Sequence, residues 1–156
     1  EASFPKDEYR PYQAQKALLD NPAYRIYALK DVESESIKAF VAVWIFDDFA
    51  FIEHFAVNPK YRNGGIGSRI LRELVDLLAM PICLEVECPD DELASRRIAF
   101  YERNNFRLNK YPYTQPPIAE GRNAIAMFIM TSEKQISEDR FETIKARIYK
   151  NVYQCQ

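Results

Sequence analysis

The sequence predicts a mixed α/β (α+β) fold: a twisted central sheet with helices packed on both faces. Three observations carry this. Ala39-Phe40-Val41-Ala42-Val43-Trp44-Ile45 is an almost unbroken apolar run, as expected of a central strand covered on both sides. Ile66, Ile70, Leu74 and Leu78, with Leu71, Val75 and Leu77, form a wide stripe at helical spacing, suited to packing on a sheet. The order of segments is mixed, with antiparallel strands first and then strand–helix–strand–helix–strand.

The elements follow in order. Pro11 to Asp20 reads as a short helix with Ala14, Leu18 and Ala17 on one side, stopped by Asn21-Pro22. Tyr24 to Leu29 and Ile37 to Phe46 read as strands around the acidic turn 31–35. After the turn Asp47-Asp48, Phe49 to Val57 is a third strand, ended by Asn58-Pro59. The helix Ile66 to Met80 stops at Pro81, and Ile82 to Val86 is a fourth strand. The acidic loop Pro89-Asp90-Asp91-Glu92 precedes a helix from Leu93 to Asn104. Phe106 to Leu108 begins another strand, Tyr111 to Pro117 reads as a loop of aromatics and prolines, and Ala124 to Met130 is a final strand. Ser137 caps a C-terminal helix over about 137–150 whose first turn carries Glu138 and Asp139.

At 156 residues the chain is expected to form one domain over 1–156. Hydrophobic residues make up 47% and aromatic residues 13%, which supports a packed core and argues against disorder. A net charge of −2, with both signs interspersed, argues against nucleic acid and a membrane surface as partners. No apolar run approaches the roughly 20 residues of a membrane span, and no signal peptide is visible. Cys83, Cys88 and Cys155 are odd in number and too widely spaced for a disulfide framework and read as buried thiols of a cytoplasmic protein. One histidine without a cluster argues against a metal site.

The chemistry concentrates in Arg62-Asn63-Gly64-Gly65-Ile66-Gly67-Ser68, between a strand and a helix. Glycines let a phosphate approach the backbone, and the free N–H groups of the first helical turn point at it. Arg62 adds a charge-assisted donor. A nucleotide P-loop needs Lys-Ser/Thr after its second glycine, whereas Gly67 is followed by Ser68-Arg69. A dinucleotide fingerprint needs a third glycine, where this chain has Ile70. Arg-x-x-Gly-x-Gly/Ala is met by Arg62, Gly65 and Gly67.

The run from Ala56 to Leu71 resembles the acetyl-CoA-binding motif of the GNAT superfamily of N-acetyltransferases. Arg97-Ile98-Ala99-Phe100-Tyr101-Glu102-Arg103-Asn104-Asn105-Phe106 is similar to that family's later helix, Ala-x-x-x-Tyr-x-x-x-Gly-Phe. The order of elements from Tyr24 to Met130 also matches. The family's first strand is not evident here, as though the chain began within the helix that follows it. Ala94 or Ser95 stands where the family often has asparagine, and Asn105 replaces the glycine before the aromatic.

The resemblance implies direct transfer of an acetyl group from acetyl-CoA to a primary amine of a small molecule, peptide or protein. It places the cofactor on Phe55, Ala56, Val57, Arg62, Asn63, Gly64, Gly65, Ile66, Gly67, Ser68 and Tyr101. Tyr101 is the family's usual proton donor to the leaving thiolate. A base is needed because a lysine-like amine is only about one part in 10³ neutral at pH 7. Glu53 is the first candidate, sharing a face with Phe55 and Val57 if the strand is regular; His54 and Glu87 are rivals. The loop 111–117, with Tyr9 and Tyr12, is a candidate acceptor wall, and Asp90, Asp91 and Glu92 a candidate attractor of a cationic acceptor. A non-catalytic CoA-binding sensor or interaction module, and transfer of a longer acyl group, remain alternatives. Monomer and homodimer are both open, with aromatics near Tyr149 to Tyr153 as a candidate contact.

Overall fold

The computed structural model describes residues 2–155. The order is α1 (Tyr12–Ala17), β1 (Tyr24–Lys30), β2 (Ile37–Ile45), β3 (Ala50–Val57), α2 (Ile66–Leu78), β4 (Ile82–Glu87), α3 (Glu92–Arg103), β5 (Arg107–Gln115), β6 (Ile125–Thr131) and α4 (Glu138–Asn151). One six-stranded sheet runs β1-β2-β3-β4-β6-β5. Only β3 and β4 are parallel neighbours. Among the described residues β1 and β5 are the two edges of this sheet.

Strand alternation divides the core in two. Val41, Val43, Ile52, Leu84 and Val86 face Leu71 and Leu74 of α2 and Ile98 and Tyr101 of α3. Ala42, Trp44, Phe49, Phe51, Met127 and Ile129 face Phe141, Ile144 and Ile148 of α4. Truncating a buried aromatic such as Phe141 to alanine costs about 3–5 kcal/mol in such a setting.

The helix ends follow local chemistry. The side chain of Asp91 accepts from the Ala94 N–H at 2.8 Å and caps α3, while Ser137 caps α4 from the Arg140 N–H. Asn105 is left-handed at φ 67°, and the Phe106 N–H closes onto Tyr101 O. Asparagine thus does the work of the family's glycine at this helix end. α2 ends two residues before Met80, where Ala79 turns left-handed.

Residues 111–115, expected to be loop, belong to β5. Register is lost between Asn109 and Tyr113 and recovered at Tyr113↔Met127. Pro112, which has no N–H to donate, is tolerated because it sits in this irregular stretch of an edge strand.

Candidate active site

β3 and β4 pair only from Ala50↔Ile82 to Ile52↔Leu84. Beyond that point β3 runs on to Val57 and β4 to Glu87, so the strands part and leave an opening in the sheet. A bulge marks the place: Val43 pairs with Ile52 but Ala42 pairs with His54, leaving Glu53 as the extra residue. The bulge overturns the regular-strand geometry. Phe55 rejoins the face of Ile52 and stacks on Phe100 of α3, whereas Glu53 turns toward Arg10 and Tyr24 on the α4 side. A cavity of about 580 Å³ fills the opening and reaches from Arg62, Gly65 and Ser68 to Glu8, Glu53 and Glu85.

At one end, Asn63 and Gly65 adopt left-handed φ of 66° and 73° and carry the chain into α2. The first backbone bond closing on this turn runs from Arg69 N to Gly65 O. The N–H groups of Ile66, Gly67 and Ser68 make no hydrogen bond among the described residues, as for any open helix start. Arg62 folds back to donate Nε to Val57 O at 3.1 Å. Gly67 serves packing: a Cβ there would lie 3.1 Å from the ring of Phe100, so glycine lets α2 approach α3. Asn104 Nδ2 donates to Ser68 Oγ at 3.1 Å and ties the same two helices.

At the other end, carboxylates gather where the strands part. Glu53 is nearly inaccessible, pairs through Oε1 with Arg10 Nη1 at 2.5 Å, and holds Oε2 3.5 Å from His54 Nδ1. Burial opposes its charge, but His54 and Arg10 outweigh burial and hold its pKa below the usual value. His54 Nε2 lies 2.7 Å from Glu8 O. Nε2 thus has an acceptor, whereas Nδ1 only approaches Glu53 Oε2, a buried oxygen that has no hydrogen-bond partner among the described residues. Burial disfavours a positive charge on His54, yet Glu53 raises the histidine's pKa.

Glu85 of β4 has the opposite character. It accepts hydrogen bonds from Tyr113 Oη and, at 2.7 Å, from Tyr153 Oη. Burial pushes its pKa up to about 7 against those two donors, and the negative charges of Glu53 and Glu8 add to the rise. Glu87 is paired with Arg97 at 2.7 Å. Burial, and then the charge of Glu87, also raise the pKa of Glu8.

Tyr101 faces the cavity from α3, and its ring packs edge-on against Phe100 and Phe106. Burial pushes its pKa up to about 12, partly countered by Arg97. Its hydroxyl makes no hydrogen bond among the described residues, so it is free to meet a ligand. A tyrosine that only packed would be expected to place its hydroxyl on a partner.

Glu53, Phe55, Ala56, Val57, Arg62, Asn63, Gly65, Ile66, Gly67, Ser68 and Tyr101 all line this cavity. Gly64 does not, although it shares the loop. His54 is spent on Glu8 O and Glu53, and Glu87 on Arg97. The acidic loop is structural at two positions: Asp91 caps α3 and Glu92 pairs with Arg96. Tyr9 lies under Arg122, and Tyr12 is largely exposed. Tyr149 bonds Thr114 O, and Tyr153 turns inward to Glu85.

Sequence reasoning gave Arg10, Glu85 and Tyr153 no role in the site, and Tyr113 entered only as part of the candidate acceptor wall 111–117. Glu85 had a signal, an acid set within the apolar run Ile82–Val86 beside the strand carrying Glu53. Arg10 and Tyr153 had none, because they reach the cleft from the two ends of the chain. No helix among the described residues is long and apolar enough to cross a membrane, and no cluster of three metal-ligating side chains occurs among them.

Comparisons with known proteins place this fold in a family. The family model "Acetyltransferase (GNAT) family" matches residues 1–106. A Bacteroides thetaiotaomicron protein assigned to the GNAT family of acetyltransferases superposes with a TM-score of 0.90 at 37% identity, over 99% of this chain and 88% of that one. The ribosomal-protein-S18-alanine N-acetyltransferase of Escherichia coli shares the fold, with a TM-score of 0.58 and 23% identity over 84% of this chain and 82% of that one. So does the PaiA N-acetyltransferase of Thermoplasma acidophilum in complex with coenzyme A, with a TM-score of 0.55 and 17% identity over 76% and 66%. Curated proteins gave no sequence match. The family model, matching well over half of the chain, and the 37%-identical structure together show that the chain belongs to the GNAT family of acetyltransferases.

Proposed function

We propose that the whole chain, 1–156, is one acetyl-CoA-dependent N-acetyltransferase domain acting on a primary amine of a small-molecule, peptide or protein acceptor in a ternary complex. The observation that carries this reading is a single cavity joining an anion-accepting loop to an opposed pair of carboxylates. The residues fit the cofactor. The open N–H groups of residues 66–68 and the guanidinium of Arg62 suit a pyrophosphate. The edge of β3 beyond Ile52, unpaired toward β4, suits an extended amide-bearing arm. When bound, acetyl-CoA supplies an activated acetyl carbon, whose C–S bond breaks as the C–N bond to the amine forms.

The chain's own groups then handle protons. The acceptor arrives mainly as an ammonium ion and must lose a proton to become a nucleophile. The pair Glu53–Glu85 takes it: Glu53 holds negative charge at the opening, and the Glu85 carboxylate, poised near neutrality, accepts the proton directly or through water. The free hydroxyl of Tyr101 gives the departing thiolate its proton and is restored, through water, by the second proton that the nitrogen sheds as the amide forms. Phe55 and Phe100 screen this region from water. The three unpaired thiols suit a cytoplasmic setting.

The test is thiol release from acetyl-CoA with a panel of small amines and peptides, with the acetylated product identified by its mass. Amine-dependent release with matching product supports the reading. CoA binding without release from any acceptor would favour a non-catalytic CoA-binding module.

A further inference from the structure

Glu53 and Glu85 lie on the two parting strands, and each is fastened by a chain terminus. Glu85 is held by Tyr153, just past α4. Glu53 is held by Arg10, at the end of an N-terminal strap of residues 3–10 laid over the opening. The strap is secured along its length. Asp7 accepts from the Asn123 N–H and from its Nδ2, and Gln115 donates to Asp7 O. Glu8 O meets His54, and Arg10 Nη2 donates to Val152 O at 2.9 Å. Arg10 is only 7% exposed, so its guanidinium has a fixed place between Glu53 and the segment that presents Tyr153.

We propose that Arg10 is a positioning residue for acetyl transfer: it pins Glu53 as a permanent carboxylate, so that the proton leaving the acceptor amine goes to Glu85. The inference rests on the N-acetyltransferase reading for its link to turnover, but the division of charge is a property of the protein alone. Two carboxylates facing one buried opening raise each other's pKa, and without a fixed cation nothing decides which of them stays charged. Arg10 breaks that symmetry from one side. The other groups facing the pair are Glu8 from the strap, Tyr24 from β1, His54 from β3, Cys83 and Glu87 from β4, Arg97 and Tyr101 from α3, Tyr113 from β5, Tyr149 from α4 and Tyr153 after it. Among these, His54 approaches Glu53 to 3.5 Å and lowers its pKa alongside Arg10, whereas Arg97 is engaged with Glu87.

The test uses the full chain, Arg10→Gln and Arg10→Lys, with two readouts. The first is a carboxyl NMR titration of carbon-13-labelled glutamates, with Glu85→Gln and Glu53→Gln to assign the signals. Wild type should show Glu85 alone of this pair titrating near neutrality. Arg10→Gln should bring Glu53 into the same range and move the pair's combined titration upward by about one pH unit or more. Arg10→Lys, which keeps the charge, should restore the wild-type pattern. The second readout is the acid limb of kcat/KM for thiol release, which should move with the titration. Unchanged carboxyl titrations in a folded Arg10→Gln protein would overturn the proposal. So would a uniform loss of activity with the acid limb unmoved. If Arg10→Gln fails to fold, an Arg10→Lys protein that still shifts the Glu53 titration upward counts against the proposal, and one that keeps it low supports it. Titrations as expected, with no amine acetylated by wild type, would leave the charge division standing and remove the acetyltransferase reading instead.

Discussion

Tyr101 and Gly65 carry different burdens at the scale of single residues. The Tyr101 hydroxyl has no partner among the described residues, so Tyr101→Phe removes a proton donor and little else. Turnover is expected to fall about 10–100-fold, in keeping with general-acid effects, while the melting temperature stays near the wild-type value. Wild-type turnover would reduce Tyr101 to packing. Gly65 is demanded by the backbone: it sits at φ 73° with nothing near its would-be Cβ. Gly65→Ala is expected to destabilise by about 1 kcal/mol through conformation alone. Gly64→Ala, with an unstrained backbone and its would-be Cβ 4.0 Å from Tyr61 O, should leave the melting temperature nearly unchanged. Denaturant midpoints of the two variants separate these roles.

Elements with a clear periodic pattern and end signals were legible in the sequence. The stripe from Ile66 to Leu78, apart from Leu77, which points to solvent, and the Asn105 helix end appear where expected, because burial on one face and a left-handed stop are both written locally. The acidic loop shows how one stretch can suggest two roles. Asp91 read as a possible attractor of a cation, yet its carboxylate caps the helix that presents Tyr101. Asp91→Ala is therefore expected to cost about 1 kcal/mol of stability, measurable by thermal melting, with no change in the salt dependence of acceptor KM. The bulge at Glu53 and the pairing of residues 113–115 were not legible. A bulge depends on how three strands register with one another, and the prolines of residues 111–117 looked like a loop until an edge strand was there to tolerate them.

The site as a whole is assembled from both ends of the molecule, which is why half of it escaped the sequence. The loop and Tyr101 lie in compact motifs, whereas Arg10, Glu85 and Tyr153 meet only after the sheet has closed. This assembly gives stability a sign with pH. The Glu85 pKa is raised from 4.5 to about 7, so the folded state holds an extra proton between those values. Stability from this group is complete below the unfolded value and is lost as pH rises through about 7, by an amount of order 3 kcal/mol. Glu53 acts oppositely: its lowered pKa stabilises above the unfolded value and is lost as pH falls through the folded one. Glu85→Gln, which cannot ionise, is accordingly expected to melt above wild type at about pH 8 and to lose that margin at about pH 5. A margin independent of pH would show that Glu85 does not hold a proton near neutrality.

The central claim is that the opening between β3 and β4 is a working acetyl-CoA site. Thermal melting with acetyl-CoA, with ATP as the phosphate control, tests it most directly. At a hundred times its Kd a ligand that binds only the folded state adds about 2.7 kcal/mol, or roughly 5–10 °C for a domain of this size. A rise of that order with acetyl-CoA and none with ATP is expected. No rise at millimolar acetyl-CoA, or an equal rise with ATP, would contradict the account.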